Sequence, residues 1–175
     1  MQNTRKIKLH VALQALARMQ NFPAMTAPDA RTHELGQHFI ARAQASLEKE
    51  QKLKTQARQF ERHLNKAALD EQGLSHAEML RNYYFYALAD LAHYFVEEHP
   101  AALDGVTEWA VEQASAAAMA AMFADQDGAL IMTPELIDVL EKSDLVQAEK
   151  NAQLADLDYA KTAYRLNDDD HRTAC

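Results

Sequence analysis

The sequence predicts an all-α fold, and three observations support this prediction. Only four glycines and four prolines occur among 175 residues, and all but Gly36 are clustered at four breaks in the chain. Between the breaks the chain is rich in Ala, Leu, Glu, Gln and Lys, which lose little free energy on entering a helix. No stretch shows the sustained β-branched alternation of strands. We therefore predict a single-domain bundle of five or six helices over residues 1–166 and a flexible polar tail over 167–175.

The first predicted helix spans about residues 4–20 and has a broad apolar side. The second is unusually long, from about residue 29 to about residue 72. Its later apolar positions step by 4, 3, 4 and 3 residues, the spacing of a coiled-coil seam: Leu53, Ala57, Phe60, Leu64 and Ala67. The earlier apolar positions, which end at Leu47, do not continue this register, so we expect a kink, a change of packing partner or a solvated middle near residues 48–54. The seam favours either packing within the bundle or pairing between two subunits.

The third predicted helix, over about residues 76–98, is the central one. Ser75 and Glu78 have the spacing of a capping box at its start, and proline cannot extend it beyond residue 99. It is apolar almost all round, which is typical of a helix in the middle of a fold or in an interface. A fourth helix over about 106–124 carries Trp109. A fifth opens at Thr133 and continues to about residue 166, weakest at residues 143–144.

Charge is divided unevenly along the chain. Residues 1–66 hold 12 Lys and Arg against 5 Asp and Glu, giving +7, whereas residues 67–175 hold 6 against 21, giving −15. Such a split is typical of halves that attract each other within or between subunits, of a polyanion-binding arm, or of an acidic surface that mimics nucleic acid. The basic side chains that could contact a partner are concentrated at 49–66, and we select Lys52, Lys54, Arg58 and Arg62. From the aromatic third helix we add Tyr83 and Tyr84 as interaction residues.

Two groups of residues could carry chemistry. Asp90, His93 and Glu97 share one side of the third helix, where either carboxylate could orient the imidazole for acid–base or metal chemistry. The alternative is a solvent strip or a polar network within the bundle.

The second group is Asp125, Asp127 and Glu135, which resembles a calcium-binding EF-hand loop. That loop requires glycine at its sixth position and glutamate at its twelfth. Counted from Asp125, the sixth residue is Leu130 and Glu135 is the eleventh. We therefore expect a connection between helices here and predict no cofactor or metal.

Cellular context follows from the cysteine content and from hydropathy. The single cysteine, Cys175, favours a reducing compartment. The first twenty residues make a poor signal-peptide core, and we expect no membrane span. These features predict a cytoplasmic protein. We expect it to be a non-enzymatic regulator or adaptor that acts through protein–protein contacts, with itself or another protein as partner, and to form a homodimer. The alternatives are a nucleic-acid-associated regulator using residues 49–66 and an enzyme or metal protein with a site around His93.

Overall fold

The computed structural model describes residues 2–21, 30–49, 52–67, 75–123 and 132–172, with side chains described between Asn3 and Tyr164. All regular structure in these ranges is α-helical, which confirms the predicted fold class. No helix in the described ranges is long and apolar enough to cross a bilayer. The helices are α1 (Gln2–Met19), α2 (Ala30–Ala45), α3 (Lys54–Ala67), α4 (His76–Glu97), α5 (Ala101–Met122), α6 (Pro134–Glu141) and α7 (Asp144–Arg172).

The number of helices differs from the prediction because two of the predicted helices are each divided. The predicted long helix over about 29–72 is α2 and α3, separated by a turn that begins where Ser46 Oγ donates to the carbonyl of Ala43. The predicted last helix is α6 and α7, because Ser143 Oγ donates to the carbonyl of Leu140 and competes with helix continuation. Both hydroxyls lie at positions where the apolar register already breaks. The prediction of a single kinked helix was therefore wrong.

Helix α4 begins and ends close to the predicted residues and lies in the centre of the fold. The predicted capping box is present, since Ser75 N donates to Glu78 Oε2 at 2.8 Å and Glu78 N donates to Ser75 Oγ at 3.3 Å. Helices α3 and α5 pack extensively on α4, and α2 reaches α4 through Phe39, whose ring centroid lies 5.8 Å from that of Phe95. The core is built around this helix, with Phe85, Leu88 and Leu91 almost completely buried.

The coiled-coil spacing in α3 is explained by packing inside the subunit. Leu53, Ala57, Phe60 and Leu64 are all buried, and the row packs against α4. Phe60 and Phe39 of α2 have ring centroids 5.1 Å apart, which joins the two helices over the same core. The seam is therefore covered within one chain and is not free to pair with a second one.

Candidate interaction surfaces

Three of the four cations of α1 are paired with the acidic half of the chain. Arg5 contacts Glu98 at 3.5 Å, and Lys8 Nζ lies 2.7 Å from Asp104 Oδ2. Arg18 is the most protected of the three, and its guanidinium binds two carboxylates of α7. Part of the charge asymmetry is thus neutralised inside the subunit, where α1 lies against α5 and α7.

The cations around α3 behave differently. Five exposed basic side chains form what we call the α3 cation row: Lys52, Lys54, Arg58, Arg62 and Lys66. From Lys54 to Lys66 they recur every four residues, so they follow one side of the helix over about 18 Å. Among the residues that the structure describes, none of the five forms an ion pair. Within the described residues, the α3 cation row is therefore a line of exposed, unpaired positive charge.

The α3 cation row lies on the exposed side of α3, away from the buried residues of that helix. Glu61 Oε1 of α3 lies 3.1 Å from His93 Nδ1 of α4. This pairing draws the acidic residue of α3 towards α4 and away from the cation row. Asp90, which shares that side of α4 with His93, is held by Trp109 of α5. Among the described residues, the side chains of the row therefore have no ion-pair partner.

The two tyrosines selected from the sequence have different environments. Tyr84 has no exposed surface, so it cannot contact a partner in this conformation, and its selection as an interaction residue was wrong. Burial raises the pKa of its hydroxyl to about 12. Tyr83 is half-buried and stacks on Trp109 with ring centroids 5.8 Å apart. Because α4 is apolar on almost every side, the sequence does not show which of two adjacent tyrosines faces the core.

The stripe formed by Asp90, His93 and Glu97 is divided between two neighbouring helices. Asp90 Oδ2 accepts a hydrogen bond from Trp109 Nε1 at 2.8 Å, whereas His93 pairs with Glu61. Burial raises the pKa of the Asp90 carboxyl, and the Trp109 hydrogen bond opposes part of this shift. Glu97 is exposed. The arrangement joins α4 to its neighbours, and neither Asp90 nor Glu97 is shown in a hydrogen bond to the His93 imidazole.

The predicted EF-hand resemblance falls mainly where no structure is described. Asp125 and Asp127 lie outside the described residues, and Glu135 lies exposed in the first turn of α6. A hydrogen bond from its own backbone amide, together with Thr133, lowers the pKa of the Glu135 carboxyl. In the described part of the chain, no group of three or more His, Cys, Asp or Glu side chains is arranged to hold a metal ion.

A groove of about 470 Å³ between α1, α5 and α7 was not anticipated from the sequence. One face of α7 contributes its longest wall, through Lys150, Gln153, Leu154 and Leu157. These residues are spaced i, i+3, i+4 and i+7, which is a detectable helical stripe. The stripe mixes polar with apolar residues, so on the sequence alone it resembles an ordinary amphipathic face.

Comparison with known proteins gives no family for this chain. Neither a protein-family model nor a curated protein nor a solved structure matches it.

Proposed function

We propose that this chain is a cytosolic, non-enzymatic interaction protein that binds an acidic protein surface through the α3 cation row. The observation that carries the proposal is the contrast between α1 and α3. Three of the four α1 cations, Arg5, Lys8 and Arg18, are paired with acidic residues, whereas all five cations of the α3 row are exposed and unpaired among the described residues. Complementary potentials speed association and select the partner.

A second copy of the chain is one such acidic partner. Residues 67–175 carry a net charge of −15, and acidic side chains of α5, α6 and α7 are exposed, including Glu108, Glu112 and Asp158. Docking of one copy's α3 on another copy's acidic side would be a head-to-tail contact. This form of the expected self-association rests on charge, because the α3 seam is already covered by α4.

The test measures binding of fluorescein-labelled poly-L-glutamate by anisotropy in about 0.15 M salt, near the physiological value. We expect the combined changes Lys52→Glu, Lys54→Glu and Arg58→Glu to weaken binding at least tenfold, because they reverse the centre of the row. A matched control makes the same change in net charge elsewhere, with Lys6→Glu, Lys142→Glu and Lys161→Glu. Equal weakening by the two triple variants would contradict the proposal, since it would trace binding to net charge alone.

A parallel light-scattering measurement distinguishes self-association from binding to another protein. A mass that rises above that of one chain at low salt and returns to one chain in the α3 triple variant identifies a second copy as a partner. A mass of one chain throughout, with poly-L-glutamate binding that depends on the α3 row, identifies another acidic protein as the partner class.

A nucleic-acid partner is the second candidate, and one observation favours it. The five cations of the α3 row are exposed and form no ion pair among the described residues, so they are available to phosphates. The same anisotropy titration with duplex DNA separates the candidates. Submicromolar DNA binding that exceeds poly-L-glutamate binding and is abolished only by the α3 triple variant would replace the protein partner with nucleic acid.

A further inference from the structure

The groove between α1, α5 and α7 has apolar walls. Val11 of α1 and Leu103 of α5 are almost fully buried at its base, while Leu154 of α7 is 60% exposed at its rim. Leu157 continues the apolar wall along α7. A volume of about 470 Å³ lies within the range of small-molecule sites, which are concave and mostly apolar.

The polar groups at one end and in the middle of the groove are occupied by the protein itself. Lys8 Nζ donates to both carboxylate oxygens of Asp104, at 2.8 and 2.7 Å, so this end is closed by a neutral pair. Gln153 Nε2 donates to the carbonyl of Thr107 at 3.0 Å and to Glu149 Oε1 at 2.9 Å. The Lys8–Asp104 pair is neutral and the Gln153 amide is uncharged, so neither offers a net charge to a ligand.

Lys150 is the exception. It is half-buried, lines the groove, and forms no ion pair with any residue in the described ranges. The contact of Gln153 with Thr107 and the antiparallel course of α5 and α7 place Lys150 at the end opposite the Lys8–Asp104 pair. On its other side Lys150 borders a second, smaller groove with Glu112 and Glu141, neither of which is ion-paired to it. One ammonium group without an ion pair among the described residues therefore lies at the end of an apolar trough.

The length of the trough sets the size of the ligand. Lys150 and Leu157 are separated by about 10 Å along α7, which accommodates an extended hydrocarbon chain of roughly ten atoms. At roughly 30 Å³ per water-sized group, the volume holds about 15 such groups. We propose that the groove binds a medium-chain monocarboxylate, a fatty-acid anion, with its chain over Val11, Leu103 and Leu157 and its carboxylate at Lys150.

The experiment titrates the full chain with decanoate and, separately, with 1-decanol by isothermal calorimetry below the concentration at which either aggregates. Decanoate binds in a saturable manner with one site and at least tenfold more tightly than decanol, because only decanoate accepts a charge-assisted hydrogen bond from Lys150. Lys150→Met removes this preference by weakening decanoate about tenfold while leaving decanol nearly unchanged. The matched control is Lys142→Met, which removes an exposed lysine outside the groove.

A second variant keeps the test informative if Lys150→Met unfolds the chain. Leu154→Asp, at the exposed rim, places a negative charge beside the carboxylate and the chain, and we expect it to weaken decanoate at least tenfold with an unchanged circular dichroism spectrum. Equal affinity for decanoate and decanol, or equal effects of Lys150→Met and Lys142→Met, would overturn the proposal. So would a doubled mass in light scattering that Leu154→Asp abolishes, since a second copy would then cover the groove.

Discussion

Removing the guanidinium of Arg18 tests how strongly α7 is held on α1. Arg18 Nε and Nη2 donate to the two oxygens of Glu149 at 2.8 and 2.9 Å, and Nη1 donates to Asp156 Oδ2 at 2.7 Å. The Glu149 side chain is only 8% exposed. In Arg18→Met this carboxylate keeps the hydrogen bond from Gln153 but loses its cation.

The expected loss follows from the burial of the pair. Breaking a fully buried ion pair costs about 3–5 kcal/mol because a charge is left uncompensated. The Arg18 side chain is 28% exposed, so screening by solvent reduces this, and we expect a loss of about 2–4 kcal/mol in the free energy of unfolding. For a chain of this size, that corresponds to a fall in Tm of roughly 5–15 °C.

The assay is urea unfolding followed by far-ultraviolet circular dichroism and by Trp109 fluorescence, and the control is Lys142→Met. Lys142 and Asp138 are paired at 2.6 Å, but their side chains are 72% and 60% exposed, so this change should cost less than about 1 kcal/mol. Adding Glu149→Gln to Arg18→Met should recover part of the loss, because the uncompensated charge is removed. A loss in Arg18→Met no greater than that in Lys142→Met would refute the reasoning.

Three further changes test the contacts of α4. Gly105→Ala places a Cβ against Asp90 Oδ2 and should break the hydrogen bond from Trp109. This loss of about 1.5–3 kcal/mol exceeds the gain of about 1 kcal/mol in helix propensity, so thermal unfolding should show net destabilisation. Burial raises the pKa of the Asp90 carboxyl above 3.8, so folding favours its protonated form. The stability of the wild type relative to Asp90→Asn should therefore fall as pH rises from about 4 through the pKa of the folded state, and a rise would contradict this assignment. Ser75→Ala removes the capping box and should cost about 1 kcal/mol in urea unfolding, whereas no loss would mean that tertiary contacts alone fix the start of α4.

Local signals explain why the bounds of α4 could be predicted. Ser75, Glu78 and Pro100 act on neighbouring backbone groups, so their effect can be read directly from the sequence. Whether the Leu53–Ala67 seam and Tyr84 face the core or a partner depends on which helices pack against them. Nothing within a few residues of them carries that information.

The candidate surfaces were predictable to different degrees for the same reason. The exposed cations around α3 follow from a four-residue repeat opposite an apolar seam. The pairing of Arg18 with Glu149 joins residues 131 positions apart, and the groove beside Lys150 requires three helices to meet. Long-range contacts of this kind leave no pattern in a single sequence.

The position of α1 has a consequence for folding during synthesis. Helix α1 carries a broad apolar side whose neighbours include α5 and α7, so its main partners begin about 80 residues after it ends. At about 5–20 residues per second, a ribosome needs roughly 4–16 seconds to reach α5. Throughout that interval the buried positions of α1, among them Leu13, Leu16 and Met19, have no completed surface to cover them. Of the described helices, α1 is synthesised first and is among the last to be shielded, so it is the described helix that a chaperone would have most time to bind.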